Sequence, residues 1–559
     1  MYGAHAYHTK IPPEAIQPYL LEYTGPGASV IDPFCGSGMT GVAARRTGRH
    51  AILSDLSPAA VHIAANYTTP CEPGGYGRAV ERIARSYETV SKSLYSTHCH
   101  SCGGVATTAY VIWSDVRTCP HCNHESRLWE HRITGLRNLS CSSCGRSYAK
   151  KSAALVGEVP VRVSFDCPSC GRLERDTTTE DLDRTDRSRS EISSWYPDVA
   201  FGPEREMWRR GHADLGIQSV ADFYSPRNLA ALSALWEKIA EEPDARLKSA
   251  LKFTFTAIAN RASRRYQWNA KRPTNVLGGT LYVSSLRYEF NVFSLWSRKV
   301  AAVKKLFETT FNDPGSAEII LASATRLPLA DGSVDYCFTD PPFGANIVYS
   351  DCSLLWESWL GALTNPRDEA IVTRHRSTEA GGKTVSAYGS LMASAFRELV
   401  RVLKKGAPLT LVFQNTDPTV WTAIQQGIGE AGFDVLGAET LHKAQPSFKG
   451  VKAQEEGEQV AATDVVLLLR SGRTTRPAAT SASIRAVIWR AIEAELKEVG
   501  SGSSRRQSIG HLYAVAVAAA LGAHLPTHDV TFESVEALIR ENGALHRESI
   551  AEVSVDVAP

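Results

Sequence analysis

The chain has 559 residues, more than one ordinary hydrophobic core absorbs, so several domains are expected. Its hydrophobic share of 43% and charged share of 21% are those of a soluble globular protein and exclude a disordered or collagen-like chain. The net charge is only +2, so a surface for a polyanion has to be a local patch and not a global field.

Residues 1–10 are polar and aromatic, without the apolar run of a secretory signal, and a cytoplasmic protein is expected. Residues 28–31 read as a short apolar strand that ends at Asp32. Gly36 and Gly38 make a turn into a helix over 39–47, closed by Gly48. A second strand, 51–53, runs out to Asp55 and Leu56, and Pro58 opens the next helix at its first position. That is the start of a doubly wound α/β sheet.

From Pro70 to about Gly315 the strand–helix rhythm stops. A cysteine-rich stretch comes first, then a Ser/Thr/Asp/Arg-rich connector over 176–190, then helical periodicity over 227–265 and 292–307. The rhythm resumes with a strand at 318–321 and a near-continuous apolar strand at 334–338, typical of the middle of a parallel sheet. A helix over 390–403, a strand at 409–413, a helix over 420–432 and strands at 433–436 and 464–469 complete the sheet. Beyond Ser471 lie an Arg/Thr/Ala linker and a helical tail. Its Ala-rich stretch 513–525 reads as a buried helix, too short and interrupted to span a membrane. The expected segments are thus 1–70 and 316–472 for the two parts of the sheet domain, 71–185 and 186–315 for a cysteine-rich and a helical insertion, and 473–559 for a helical C-terminal region.

The cysteines form four Cys-x-x-Cys pairs: Cys99 with Cys102, Cys119 with Cys122, Cys141 with Cys144, and Cys167 with Cys170. Sixteen residues separate the first two pairs and 22 the last two, spacings that suit four-thiolate zinc sites. Two closed structural Zn2+ sites are expected; the spacing leaves open which pairs combine. Gly103, Gly145 and Gly171 follow three of the knuckles, where a tight turn brings backbone N–H groups to thiolate sulfur. Cys35, Cys71, Cys337 and Cys352 have no metal spacing and read as small buried residues.

Two loops carry the chemistry. In the first, Asp32, Pro33, Phe34, Cys35, Gly36 and Gly38 join a strand to a helix, where backbone N–H groups approach a polar ligand. Asp32 is placed to meet a cationic amino group and Asp55 to meet a ribose diol. The wording is not the G-x-G-x-x-G of hydride-transfer enzymes, so S-adenosylmethionine is favoured over a dinucleotide. In the second loop Asp340, Pro341, Pro342 and Phe343 follow the buried strand. An aromatic amine is a poor nucleophile because its lone pair is delocalised. The Asp340 carboxylate and the Pro341 carbonyl can accept its two hydrogens and free the lone pair, while the prolines stiffen the loop. Phe343 offers a face to an extruded base, a stacking contact worth ~1–3 kcal/mol. The loop has no Pro-Cys pair, which argues against a cysteine nucleophile and carbon methylation.

In these two motifs the sequence resembles the amino-methyltransferases of DNA, and with its cysteine pairs it resembles adenine-specific DNA methylases that contain a zinc ribbon. The resemblance implies a Rossmann-like class I methyltransferase sheet, interrupted by the zinc-ribbon and helical insertions, the latter a candidate for target recognition. It implies that Lys10, in a motif ahead of the glycine loop, packs near the methionine end of the cofactor. It also places Ser323, after the third strand, where those enzymes often carry an acidic residue near the cofactor adenine.

Arg261, Arg264, Arg265, Tyr266, Trp268, Lys271 and Arg272 interleave aromatics with cations and are candidates for DNA contacts; the bland alternative is a solvated surface. A second basic loop follows at His442–Lys443 and 449–452. The expected activity is transfer of a methyl group to adenine N6 in double-stranded DNA, with the base flipped. Partner subunits of a restriction or defence system are possible. The alternatives are cytosine N4, guanine N2 of RNA, or a non-catalytic zinc protein that binds nucleic acid.

Overall fold

The computed structural model describes residues 2–181, 192–270, 276–345, 347–379, 381–442, 463–472, 481–499 and 509–542. The expected contacts of Lys271 and Arg272, and the basic loop from Lys443 to Lys452, lie outside these residues. The chain divides into two compact units. One comprises Met1–His8, Ser57–Asn312 and Val348–Asn365; the other comprises Thr9–Leu56, Asp313–Ile347 and Pro366–Pro559. In chain order the strands are β1 (Ser29–Asp32), β2 (His50–Asp55), β3 (Ser96–His98), β4 (Val105–Thr118), β5 (Glu125–Arg127), β6 (Asn138–Ser140), β7 (Ser147–Ala149), β8 (Leu155–Cys167), β9 (Gly171–Asp176), β10 (Leu286–Phe290), β11 (Ser316–Leu321), β12 (Tyr336–Thr339), β13 (Pro408–Phe413), β14 (Phe433–His442) and β15 (Thr463–Ser471).

The second unit is built on a seven-stranded sheet of order β11-β2-β1-β12-β13-β15-β14. β11, β2, β1, β12 and β13 run parallel, and β15 runs antiparallel to both its neighbours. The chain winds outward from β1 through β2 to β11, then restarts on the other side with β12. The gap between β1 and β12 is therefore the switch point of a doubly wound sheet, where ligands sit beyond the carboxyl ends of the strands. Leu409, Leu411 and Phe413 of β13 are fully buried and share one core with the helices Val385–Val402 and Pro418–Ala431.

Two boundaries differ from the sequence reading. β14 runs on to His442, past the expected end at 436, because a bulge between Val435 and Gly437 carries the strand across the residue that breaks the pattern. The described helices beyond 473 are no appendage. The helix Ile509–Gly522 is apolar on every side, as a helix covered on both faces must be, and Tyr513, Ala516, Val517 and Leu521 join the core of β14 and β15.

In the first unit β4 and β8 are long antiparallel strands in a sheet of order β10-β4-β8-β9, with β3 and β5 paired to β4. β10 comes from beyond residue 185, so the two expected insertions share one sheet and do not part there. Three register shifts between β4 and β8 break the period-two pattern, which hid these strands in the sequence. Buried ion pairs fix β10 in place. Glu289 takes Arg227 at 2.7 Å, Trp113 Nε1 at 2.6 Å and Ser225 Oγ at 2.6 Å, and Arg287 donates to Asp115 at 3.0 Å.

Candidate active site

Four neighbouring parallel strands deliver the expected site residues to one edge of the large sheet. β1 ends on Asp32, β2 on Asp55, β11 stops two residues before Ser323, and Asp340 follows β12 directly. Register keeps the ends level, with Asp32 opposite Leu53, and Leu321 opposite Asp55.

The glycine loop turns from β1 into the helix Met39–Arg46 with Gly36 at φ 49° and Gly38 at φ 78°, a left-handed conformation that a Cβ disfavours. It is stapled to the end of β2: Gly36 N donates to Asp55 Oδ2 at 2.9 Å and Cys35 N to Ser54 O at 3.0 Å. Asp32 is 1% exposed and accepts from Thr40 Oγ1 at 2.7 Å, Thr339 Oγ1 at 2.8 Å and Phe34 N at 3.2 Å. Burial pushes its carboxyl up to about 6, against the three donors that pull it down. Asp32 thus ties β1, β12 and the loop together. Pro33 is buried beside it, and Phe34, Asp55, Leu56 and Lys10 are partly buried.

Cys35 reports the electrostatics of the loop. Its buried thiol is pushed well above its ordinary value, first by burial and then by the charges of Asp55, Asp32 and Asp340. The thiol stays protonated, as expected of a packing residue.

The second loop is held from behind. Tyr388 Oη donates to the Pro342 carbonyl at 2.8 Å, and Asn415 Nδ2 donates to the Phe343 carbonyl at 2.9 Å. Gly344 follows at φ 68°, where a Cβ would stand 3.1 Å from Asn415 Nδ2 and 3.3 Å from Val420 Cγ1. Among the described residues, no hydrogen bond reaches the Pro341 carbonyl. Phe343 is partly buried, with its ring edge-on to Phe413 at 5.2 Å. Ser323 forms a local turn, its Oγ 2.9 Å from Thr325 Oγ1.

The sequence reading missed Thr40, Thr339, Tyr388 and Asn415. Thr339 stands next to Asp340 and so lay within the motif, but its bond to Asp32 spans 307 residues. Tyr388 and Asn415 carry no signal of their own, because each matters through a loop carbonyl far away in sequence.

Residues 2–66 match the DNA methylase family model, N6_N4_Mtase. The matched stretch contains β1, the glycine loop and β2, and stops well short of Asp340. Over 63 residues the chain is 41% identical to the Type II methyltransferase M.Cfr9I of Citrobacter freundii, which is 11% of this chain and 21% of that protein. The chain therefore spans about a fifth of the curated relative it matches. Among solved structures, the rRNA methyltransferase AviRa of Streptomyces viridochromogenes is 11% identical, with a TM-score of 0.24 over 84% of this chain and 89% of that one. A SAM-dependent methyltransferase of Methanosarcina mazei is 14% identical, with a TM-score of 0.17 over 30% of this chain and 77% of that one. At such scores the fold is read from the strand order itself.

The eight paired cysteines gather into two groups, Cys99, Cys102, Cys167 and Cys170, and Cys119, Cys122, Cys141 and Cys144. The pairing is nested: the outer knuckles meet each other and enclose the inner two. Sγ atoms stand 3.6 Å apart in Cys102–Cys167, 3.9 Å in Cys119–Cys144 and 3.6 Å in Cys122–Cys141. A tetrahedron with a metal–sulfur bond of about 2.3 Å has an edge of about 3.8 Å, so both groups fit a four-thiolate ion such as Zn2+. Gly103, Gly145 and Gly171 turn three knuckles at φ 70°, 72° and 76°, and Asn123 turns the fourth at φ 58°.

The basic segment after residue 260 requires a correction. Arg265 is 5% exposed and its guanidinium bonds Asn260 Oδ1, Leu277 O and Thr280 O; burial pulls it down to about 10. Arg264 is spent on Glu158 at 2.6 Å and on the Asp222 carbonyl at 2.9 Å. Tyr266 packs edge-on to Phe290 at 4.8 Å, and Trp268 edge-on to Trp129 at 4.7 Å. The two guanidiniums are thus tied to groups of the fold and the two rings are packed on neighbouring rings, not presented to a phosphate backbone. Arg261 is exposed.

Proposed function

We propose that this chain is an S-adenosylmethionine-dependent methyltransferase that methylates the exocyclic N6 of adenine in double-stranded DNA, with the target base turned out of the helix. The observation that carries the cofactor is the charge at the glycine loop. Asp32 ends β1, Asp55 ends β2 and accepts from Gly36 N, and Asp340 follows β12, so three carboxylates stand at the strand ends around the loop. A ligand with an ammonium and a sulfonium suits that charge, whereas the pyrophosphate of a dinucleotide is repelled by it. Asp55, oriented by Gly36 N, stands where a ribose diol is received at the end of the second strand of such a sheet. When bound, the cofactor supplies an electrophilic methyl group on its sulfonium.

The chain's own part in the reaction falls to the Asp340 loop. The Asp340 carboxylate and the Pro341 carbonyl accept the two amino hydrogens and turn the nitrogen lone pair towards the methyl donor. The proton that the amine sheds passes to an Asp340 oxygen. Tyr388 and Asn415 engage the carbonyls of Pro342 and Phe343, which leaves Pro341 as the acceptor of this loop. Phe343 steadies the base, and Arg261 meets the DNA backbone. The two four-cysteine groups hold structural Zn2+ ions and take no part in the chemistry.

The family model's name spans N6 and N4, so cytosine N4 is the second reading. Both are tested by incubating the protein with DNA and isotopically labelled cofactor, digesting to nucleosides and measuring them by mass spectrometry, beside an Asp340→Ala control. N6-methyladenine is the expected product, and N4-methylcytosine would move the assignment to the second reading. Equal yields from the control and the native protein would remove Asp340 from the mechanism.

A further inference from the structure

Arg264 and Arg265 are spent on the fold, and a second group of cationic residues stands on the helices Pro58–Thr68 and Ala245–Ala259. Lys248 and Lys252 project from the second helix, and neither forms an ion pair among the described residues. Lys252 Nζ lies 4.9 Å over the Trp236 ring, and burial together with Lys248 pulls its ammonium down. Arg246 is one turn away. Its Nη1 donates to Asn66 Oδ1 at 2.7 Å, but its buried Nε and Nη2 have no acceptor. His62 Nε2 is likewise buried without a partner, and the ring feels both Lys252 and Arg246. Those donors are closed off from solvent, so the cations this face offers are Lys248 and Lys252, partly buried and without a carboxylate partner among the described residues.

Trp195, 56% exposed, is linked to Lys252 through Trp236, the ring that both of them meet. Its ring is 6.3 Å from Trp236 and edge-on to the buried Trp359 at 5.9 Å. Ser194 Oγ donates to Glu237 Oε2 at 3.0 Å and fixes the segment on the helix below. An exposed indole packed on a ring that also carries a lysine without a counter-charge suits a nucleic-acid strand. The cations track the phosphates and the ring stacks an unpaired base. Burying such a ring for its own sake would have covered it, as Trp359 is covered at 0% exposure.

We infer that this face binds the DNA strand, with phosphates on Lys248 and Lys252 and an unstacked base on Trp195. The inference rests on the DNA reading above and adds to it a surface that the sequence motifs did not indicate.

The test uses the full chain and fluorescein-labelled oligonucleotides, single-stranded and duplex, with affinity read by anisotropy at several salt concentrations. Trp195→Ala should weaken single-strand binding on the order of ten-fold, and Trp195→Phe should restore most of it. Lys248→Ala with Lys252→Ala should lower the slope of log affinity against log salt by about 2, one per lost phosphate contact. Calorimetric S-adenosylmethionine affinity and zinc content, unchanged in every variant, show that the fold is kept. If the native chain binds DNA and all variants match it in affinity and slope, the surface is wrong and the DNA reading stands. If the native chain binds RNA and not DNA, both fall. Should the double lysine variant misfold, the contrast between alanine and phenylalanine at position 195 decides alone.

Discussion

Replacing Asp32 by Asn tests the anchor of the site through its proton. The carboxyl moves from its ordinary value of 3.8 to about 6 because it is buried, so the ionised form is disfavoured in the folded state by about 3 kcal/mol. The sign follows from linkage. Below pH 3.8 both folded and unfolded chains carry the proton and the group contributes nothing. As pH rises to about 6 the unfolded chain ionises first, stability falls, and above that it levels off. An asparagine at this position has no proton to lose and keeps an acceptor for Thr339 and a donor for Thr40. The stability of Asp32→Asn relative to the native chain should therefore rise by about 2–3 kcal/mol between pH 4 and pH 7, whatever its constant offset. Urea unfolding of the full chain at half-unit pH steps, followed by circular dichroism, measures it. Parallel stability curves for the two proteins would mean that the carboxyl is not desolvated and that the anchoring account is mistaken.

Three further outcomes are expected. Removing metal with a strong chelator should release two equivalents of zinc and abolish hydrogen-exchange protection over residues 99–170, with β1 and β12 left protected; protection that survives zinc loss would contradict a structural role. Tyr388→Phe removes the 2.8 Å bond to the Pro342 carbonyl and should lower kcat several-fold, on the scale of a bond worth ~0.5–1.5 kcal/mol, with cofactor affinity unchanged in calorimetry. Gly315→Ala would put a Cβ 2.3 Å from the Arg49 carbonyl and 2.7 Å from Arg45 Cα, both backbone. The entry to β11 should lose ~1–3 kcal/mol, seen as a lowered thermal midpoint.

The sequence by itself determined the elements that a local pattern can encode. Apolar runs ending on Asp32 and Asp55, the left-handed glycines between strand and helix, and the prolines after β12 are short-range facts, and the structure keeps all of them. The cysteine spacing likewise announced four-thiolate groups, since a Cys-x-x-Cys knuckle is local. Tertiary structure alone decided what depends on distant partners: the nested pairing of the knuckles, the bond from Thr339 to Asp32, and the support of Pro342 and Phe343 by Tyr388 and Asn415. It decided the fate of Arg264 and Arg265 as well. A guanidinium beside an aromatic reads the same in sequence whether it faces phosphate or a carboxylate of its own chain, and only the arrival of Glu158 and the carbonyls of Leu277 and Thr280 turned these two inward. The long strands β4 and β8 were illegible for a related reason. Their register shifts interrupt the alternation, and their pairing, not their pattern, makes them strands.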